Sequence, residues 1–455
     1  MGNSLFDEFP DISSKHWKQQ IQFDLKGADY NETLIWNSNE GIAVKPFYHA
    51  DEFKTLPPVS GSRATQWQIS QSIFVADVDK SNKKAHKLLN RGVERLAFIL
   101  PSKEVAIDRL LKDIDLASIP VDLYMQFLDA DFVKQLTNHS KTKLNIHTDI
   151  IGNLARTGNW FSTLKEDHKQ FEAIVTHTNS YSIDATLYQN AGTTMVQQLA
   201  YALAHANEYL NHLDTVITSE AKQTFKVSFQ VSVGSNYFFE IAKLRALRQL
   251  WHTLASAYDV NTDCNIMAIP SKRNKTLYDY NTNMLRTTTE CMSAVLGGAN
   301  SISNLAYDAI YHKSNAFGER IARNQLLILK HESYFDKVDN PADGAYYIET
   351  LTDELAQKAL ALFKDIEAQG GFLKQLKEGT IQRKISESAA REQEQFNNGE
   401  LTLLGTNKHP NPKDRMKDEL ELYPFVKTNP RKTLIAPIIE RRLAEATEQK
   451  RLSNE

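Results

Sequence analysis

Between Gln66 and Tyr307 the chain switches repeatedly between two hydrophobic periods. Short runs that alternate, or that crowd β-branched and aromatic residues, give way to stretches with apolar residues three and four apart. That is the succession of strand and helix. The strand patterns are WQISQSIFV from Trp67, RLAFIL from Arg95, VDLYMQFL from Val121, KLNIHTDI from Lys143, EAIVTHTN from Glu172, KVSFQVSV from Lys226, CNIMAIP from Cys264 and SISNLAY from Ser301. Helix patterns separate them, among them SNKKAHKLLNRG from Ser81, SKEVAIDRLLKDI from Ser102 and YFFEIAKLRALRQLWHTLASA from Tyr237. The long stretch from Thr193 places Met195, Leu199, Leu203, Ala206 and Leu210 on one face. Eight βα units over about 270 residues, near the ~250 of a typical barrel, predict an α/β fold of (β/α)8 TIM-barrel type. An open doubly wound sheet is the alternative, but no GxGxxG follows the first strand.

The last step of the barrel is RTTTECMSAVLGGANSISNLAYD from Arg286. Thr287 and Glu290 have the spacing of a capping box, which predicts a helix starting near Thr288. Met292, Val295 and Leu296 would form its apolar face, and Gly297 and Gly298 would end it. Ahead of the barrel, residues 1–62 read as an extended arm with a possible helix from Trp17 to Leu25. Its apolar residues, among them Leu34, Trp36, Ile42, Val44 and Tyr48, need a surface to cover. That surface is either its own barrel (63–349) or a partner. Behind the barrel, 350–455 reads as a helical extension and linker-like tail. It has a polar span around IQRKISESAAREQEQFNNGE, and Leu420, Leu422, Tyr423 and Phe425 are expected to lie along a partner.

Composition narrows the chemistry mainly by exclusion. The chain has 455 residues, of which 41% are hydrophobic, so it can fill a large core. Its 53 basic and 56 acidic residues leave a net charge of -3, which selects neither nucleic acid nor an anionic membrane. The two cysteines, Cys264 and Cys291, cannot build a disulfide framework or a thiolate metal cluster and read as reduced core thiols. The start, MGNSLFDEFP, lacks the features of a signal peptide, and no long apolar run follows, so a cytoplasmic protein is expected. A barrel carries its chemistry at the C-terminal ends of its strands. There His147 and Asp149, with His177 and Asn179 from the pattern at Glu172, could ligate a divalent metal as in a hydrolase. No HxH or HxxxH pair supports this, and hydrogen-bonded barrel histidines are the simpler reading. No Ser-His-Asp signature, phosphate loop or HExxH is present.

Four separated segments resemble the methylmalonyl-CoA mutase family in that family's order. They are EGIAVKPFYHADE in the arm, FFEIAKLRALRQLW from Phe238, the stretch from Arg286, and FGERIARNQLLILKHESYFDKVDNPADGAYYIETLT from Phe317. The resemblance implies a coenzyme A-binding (β/α)8 barrel, followed in the catalytic chain by a flavodoxin-like domain holding adenosylcobalamin. It also implies a radical rearrangement that interconverts (R)-methylmalonyl-CoA and succinyl-CoA. Departures qualify that implication. Where the family reads SISGYHMQEAGA this chain reads SIDATLYQNAGT, so Leu187 replaces the histidine that meets the substrate and Thr186 replaces the tyrosine. The family's TMY and RPWT segment survives only as an echo at Trp67 and Gln71, and none of the 13 histidines stands in the cobalt-ligating Asp-x-His-x-x-Gly context. Arg286, Asp308 and the RIARN run from Arg320 read as barrel architecture. The expectation is therefore a small, non-catalytic subunit without catalytic, cofactor-binding or metal residues of its own. It would lack the cobalamin domain and pair as a heterodimer with a catalytic large subunit that carries adenosylcobalamin. The alternative is a catalytic barrel that works with a separate cobalamin-binding protein.

Overall fold

The computed structural model describes residues 8–9, 11–55, 57, 60–139, 144–427 and 431–455. Eight parallel strands form the centre: β1 Gln68–Phe74, β2 Arg95–Leu100, β3 Val121–Met125, β4 Leu144–His147, β5 Ser180–Asp184, β6 Lys226–Val233, β7 Cys264–Pro270 and β8 Ser301–Ser303. Their order around the sheet is β4-β3-β2-β1-β8-β7-β6-β5, with β8 laddered to β1 through Ser301↔Gln68 and Ser303↔Ser70. β4 and β5 lie side by side, without a ladder among the described residues, and complete a nearly closed (β/α)8 barrel. The outer helices are α1 Val78–Leu89, α2 Ile107–Leu110, α3 Ala130–His139, α4 Leu164–Thr178, α5 Met195–Leu213, α6 Tyr237–Ala257, α7 Thr282–Leu296 and α8 Ala316–Leu327. No helix among the described residues is long and apolar enough to cross a membrane.

Alternation along the strands separates two environments. Outward residues such as Ile69, Leu96, Phe98, Leu123, Ile183, Phe229, Ile266 and Ile302 are fully buried under the helices. Their inward neighbours include the polar Ser70, Ser72, Asp122, Tyr124, His147, Ser182, Gln230 and Ser303 beside the apolar Ala97, Ile99, Met267 and Ile269. The core is thus a shell between sheet and helices, and polar side chains share the barrel axis with these apolar ones.

Two expected elements fall elsewhere. EAIVTHT is the end of α4, because Thr163 caps its start by accepting from Glu166 N, and Phe171, Ile174 and Val175 face the core at helical spacing. Asn179, with φ +51, turns the chain out of the helix, and the fifth strand is the next segment, SYSID. α7 starts at Thr282 rather than Thr288. Thr287 lies inside it with its hydroxyl donating to Met284 O, and Glu290 turns away to Lys275 and Asn274. Gly297 and Gly298 end the helix as expected. The helix expected from Ser102 shrinks to Ile107–Leu110, whereas α6 runs from Tyr237 to Ala257 as its pattern predicts.

Much of the arm and tail packs on this chain's own barrel. The arm helix Ser14–Asp24 is followed by a hairpin pairing Trp36–Asn37 with Ala43–Val44. Ile42 enters the main core, Glu40 Oε2 accepts from Val196 N at the start of α5 (2.8 Å), and Tyr48 packs on Tyr347. Trp17 and Phe23 of the arm helix remain exposed. The tail contains α9 Tyr346–Ala368, α10 Phe372–Lys377, α11 Thr380–Asn397 and α12 Glu445–Leu452. α9 lies along α5 and α6 and crosses the expected boundary at 349/350. The polar span is α11, whose Ile381, Ile385 and Phe396 are buried. Phe425, expected on a partner, is buried in a cluster with Tyr278 and Tyr311, while Leu422 and Tyr423 stay exposed.

Candidate functional site: the barrel lumen

Because strand residues two apart share a face, every strand sends side chains into the axis at fixed heights. At the C-terminal end they line a cavity of about 470 Å³, with Ser70 and Ser72 from β1, Tyr124 from β3, His147 from β4, Asp184 from β5 and Gln230 from β6. At the N-terminal end Arg95, Asn145, Ser228 and Asn265 line a second cavity of about 330 Å³. His147 borders both.

A charged belt stands between the two. Asp122 Oδ2 accepts from Arg95 Nε at 2.5 Å and Oδ1 from Arg95 Nη2 at 2.6 Å, and His147 Nε2 lies 2.9 Å from the same Oδ1. Asp122 is completely buried. Burial alone would raise its pKa, but the bonds and charges of His147 and Arg95 prevail and hold the carboxyl down at about 2. The His147 ring stacks on Tyr124 with centroids 4.3 Å apart, and the Tyr124 hydroxyl reaches Met267 Sδ across the axis at 3.0 Å.

The upper rim is equally self-paired. Asp149 caps the helix Ile150–Thr157 through Gly152 N, and it also meets the Tyr209 hydroxyl (2.7 Å) and His205 Nε2 (2.9 Å). Burial opposes ionisation of Asp149, yet His205, the Asp184 amide and Tyr209 keep its pKa below the ordinary value. Arg156, half-exposed over the cavity, is held by Asp184 at 2.8 Å and by Glu440 of the tail at 3.0 Å. The tail straps this side of the mouth. Leu434 N and Ile435 N donate to Gly158 O, Ile438 N to Ala155 O, Arg441 N to Asn190 O and Leu443 N to Arg273 O.

The alternative metal set, His147, Asp149 and His177, does not assemble. His147 and Asp149 belong to different hydrogen-bond groups, and His177 lies in the last turn of α4. No group of three or more potential ligands that could hold a metal ion occurs among the described residues. Cys264 opens β7 at the N-terminal end and is buried, with burial pushing its thiol up to about 11 against the pull of Arg248. Leu187 sits in the short helix Thr186–Asn190, 1% exposed and packed in the main core, and is not among the residues lining the cavity. Arg286 is half-buried and holds Leu404 O of the tail, and Asp308 is buried against His312 and Asn315. Reading motifs missed Arg95, Asp122, Tyr124, Arg156 and Asp184. The signal was the alternation in VDLYM and SYSID, which puts polar residues on the face opposite the shell core.

Fold and lumen together define a (β/α)8 barrel whose axis carries polar side chains and cavities in place of packed aliphatic layers. Residues 105–452 match the family model described as methylmalonyl-CoA mutase. The methylmalonyl-CoA mutase small subunit of Porphyromonas gingivalis is 33% identical, covering 92% of this chain and 73% of that protein. The small subunit of Streptomyces virginiae is 28% identical over 90% and 72%. The methylmalonyl-CoA mutase of Cereibacter sphaeroides is 31% identical over 86% and 64%. The chain therefore belongs to the methylmalonyl-CoA mutase family. It spans roughly two thirds to three quarters of the length of these relatives.

The family implies cobalamin, but the lumen does not suit a cobalt ligand. His147, the histidine that borders the cavity, is buried, stacked on Tyr124 and paired through Nε2 with Asp122.

Proposed function

We propose that this chain is the small, supporting subunit of a methylmalonyl-CoA mutase. In this reading it pairs with a large chain that holds adenosylcobalamin and interconverts (R)-methylmalonyl-CoA and succinyl-CoA. The observation that carries the proposal is the self-pairing of the charged groups in the lumen. An acyl-CoA carboxylate entering the axis would need a cation, and the guanidiniums that line the two lumen cavities already answer to carboxylates: Arg95 to Asp122, and Arg156 to Asp184 and Glu440. Removing a charged ligand from water without a partner costs several kcal/mol, so these pairs work against productive binding. Leu187 adds to this, since an aliphatic side chain within the core gives neither a proton nor a hydrogen bond to a thioester carbonyl. The small-subunit relatives are consistent with the assignment.

The test is co-expression with the cobalamin-binding mutase chain of the same organism, followed by affinity purification and an assay for succinyl-CoA. A one-to-one complex is expected to be active, and this chain alone inactive. Turnover by this chain with only a free cobalamin-binding domain added would overturn the proposal.

A further inference from the structure

On the outer wall of the barrel α1 and α8 face each other across a cleft of about 320 Å³. Lys83, Lys84, Lys87 and Arg91 line it from the α1 side and Arg323 from α8, against a single carboxylate, Glu319. Five positive charges less one negative leave an excess of four, in a chain whose net charge is -3. Like charges so gathered repel, most strongly where water is excluded.

Arg323 is the group for which this matters. It is 6% exposed, its Nη1 donates to Gln71 Oε1 at 3.1 Å, and its Nε is buried without a hydrogen-bond partner. Burial first, and then the neighbouring Arg91 and Arg320, pull its pKa below the ordinary value, with Glu319 opposing. Glu319 has little left to give. Its Oε1 takes Lys84 Nζ at 2.5 Å and the Ser314 hydroxyl, and its Oε2 takes Gln71 at 3.1 Å. The first turn of α8, at Asn315 and Ala316, borders the same cleft and adds its positive dipole end. A buried guanidinium with an unused donor, surrounded by cations, is a site that lacks its anion.

We propose that the cleft between α1 and α8 binds the phosphoryl group of a small phosphorylated molecule, with Arg323 as its buried fork and Lys83, Lys84, Lys87 and Arg91 as its outer charges. A phosphoryl group suits it better than a carboxylate, because an excess of four charges calls for a dianion or polyanion and the fork can engage two of its oxygens. The cleft shares no lining residue with the two lumen cavities, and Arg323 and Glu319 stand between it and a smaller pocket that reaches Ser70, Ser72 and Ser303 of the axis.

Titration calorimetry of the full chain with inorganic phosphate, pyrophosphate and adenosine diphosphate tests the site. Saturable one-to-one binding of at least one probe is expected. It should weaken at least about tenfold in Arg323→Gln and also in the double variant Lys83→Gln, Lys87→Gln. The two lysines are exposed, so their replacement leaves folding intact. Binding of phosphate itself would identify a free anion as sufficient, and a preference for the nucleotide would place further contacts along the cleft. No binding of any probe, binding that both variants leave unchanged, or capture only of an acidic peptide would overturn the proposal.

Discussion

At the scale of single residues, Asp122 concentrates the energetics of the axis, because Arg95 and His147 both bond to it. Asp122→Ala leaves Arg95 buried and unpaired, for which a loss of about 3–5 kcal/mol in urea unfolding is expected. The pH dependence follows from its low pKa. The unfolded carboxyl titrates at about 3.9 and the folded one at about 2, so the folded state favours the charged form. Its contribution is present in full above about pH 5 and is lost as the pH falls toward 2, amounting to about 2 to 3 kcal/mol. Acid titration of the wild type should therefore show a steepening below about pH 4 that Asp122→Asn removes. Burial raises both thiols, Cys264 to about 11 and Cys291 well above its ordinary value. At about pH 7.5 a thiol reagent should label neither in the folded chain and both in denaturant. The sequence shows Asp122 and Arg95 as members of strands but not as partners. They stand 27 residues apart and meet only through parallel register, which no local pattern contains.

At the scale of elements, α4 and α7 show what local patterns can and cannot decide. EAIVTHT is rich in residues that favour strands, yet Thr163 and Glu166 mark a helix start upstream and the burial of Phe171, Ile174 and Val175 sets a helical period. Reading from Thr163 instead of Glu172 would have placed α4 and left SYSID as the strand. In α7 the Thr-x-x-Glu spacing was genuine but lay inside a helix. Glu290 is buried against Lys275, and that pairing outweighs a cap at the helix start. α5 and α6 were legible from end to end, because a helical period repeated over five turns or more is a strong local signal that depends least on distant partners. The strap over the mouth was not legible, since it consists of backbone bonds between segments far apart in sequence. Gly158 is its anchor, with φ +79 and a position where an added Cβ would lie 2.6 Å from Ile435 O. Gly158→Ala should cost more than about 1 kcal/mol and detach the strap. Faster tryptic cleavage after Arg431 or Lys432 would report the detachment.

At the scale of the whole molecule, the barrel was legible because eight alternations of period are a global signal that one misplaced strand does not erase. The polar axis follows from the same alternation, but its meaning lies in the pairings across it, and only the folded chain brings these together. The charged groups of the axis answer to one another, which is what the proposed supporting role requires, while Ser70 Oγ and Thr148 Oγ1 at the cavity have no partner. Much of the arm and tail covers their own barrel, while Trp17, Phe23, Leu422 and Tyr423 stay exposed, where the proposed large chain would cover them. Truncation before Ser38 should therefore weaken association with the large chain more than it lowers the melting temperature of this one, as read by pull-down and thermal unfolding. The most direct test of the account is the turnover of the reconstituted complex when this chain carries Leu187→Ala together with Ser303→Leu, which places a larger side chain in the upper cavity. Turnover equal to that of the unmodified complex is the expected result. A fall of about tenfold or more in a complex that still assembles would contradict it and make this lumen a working active site.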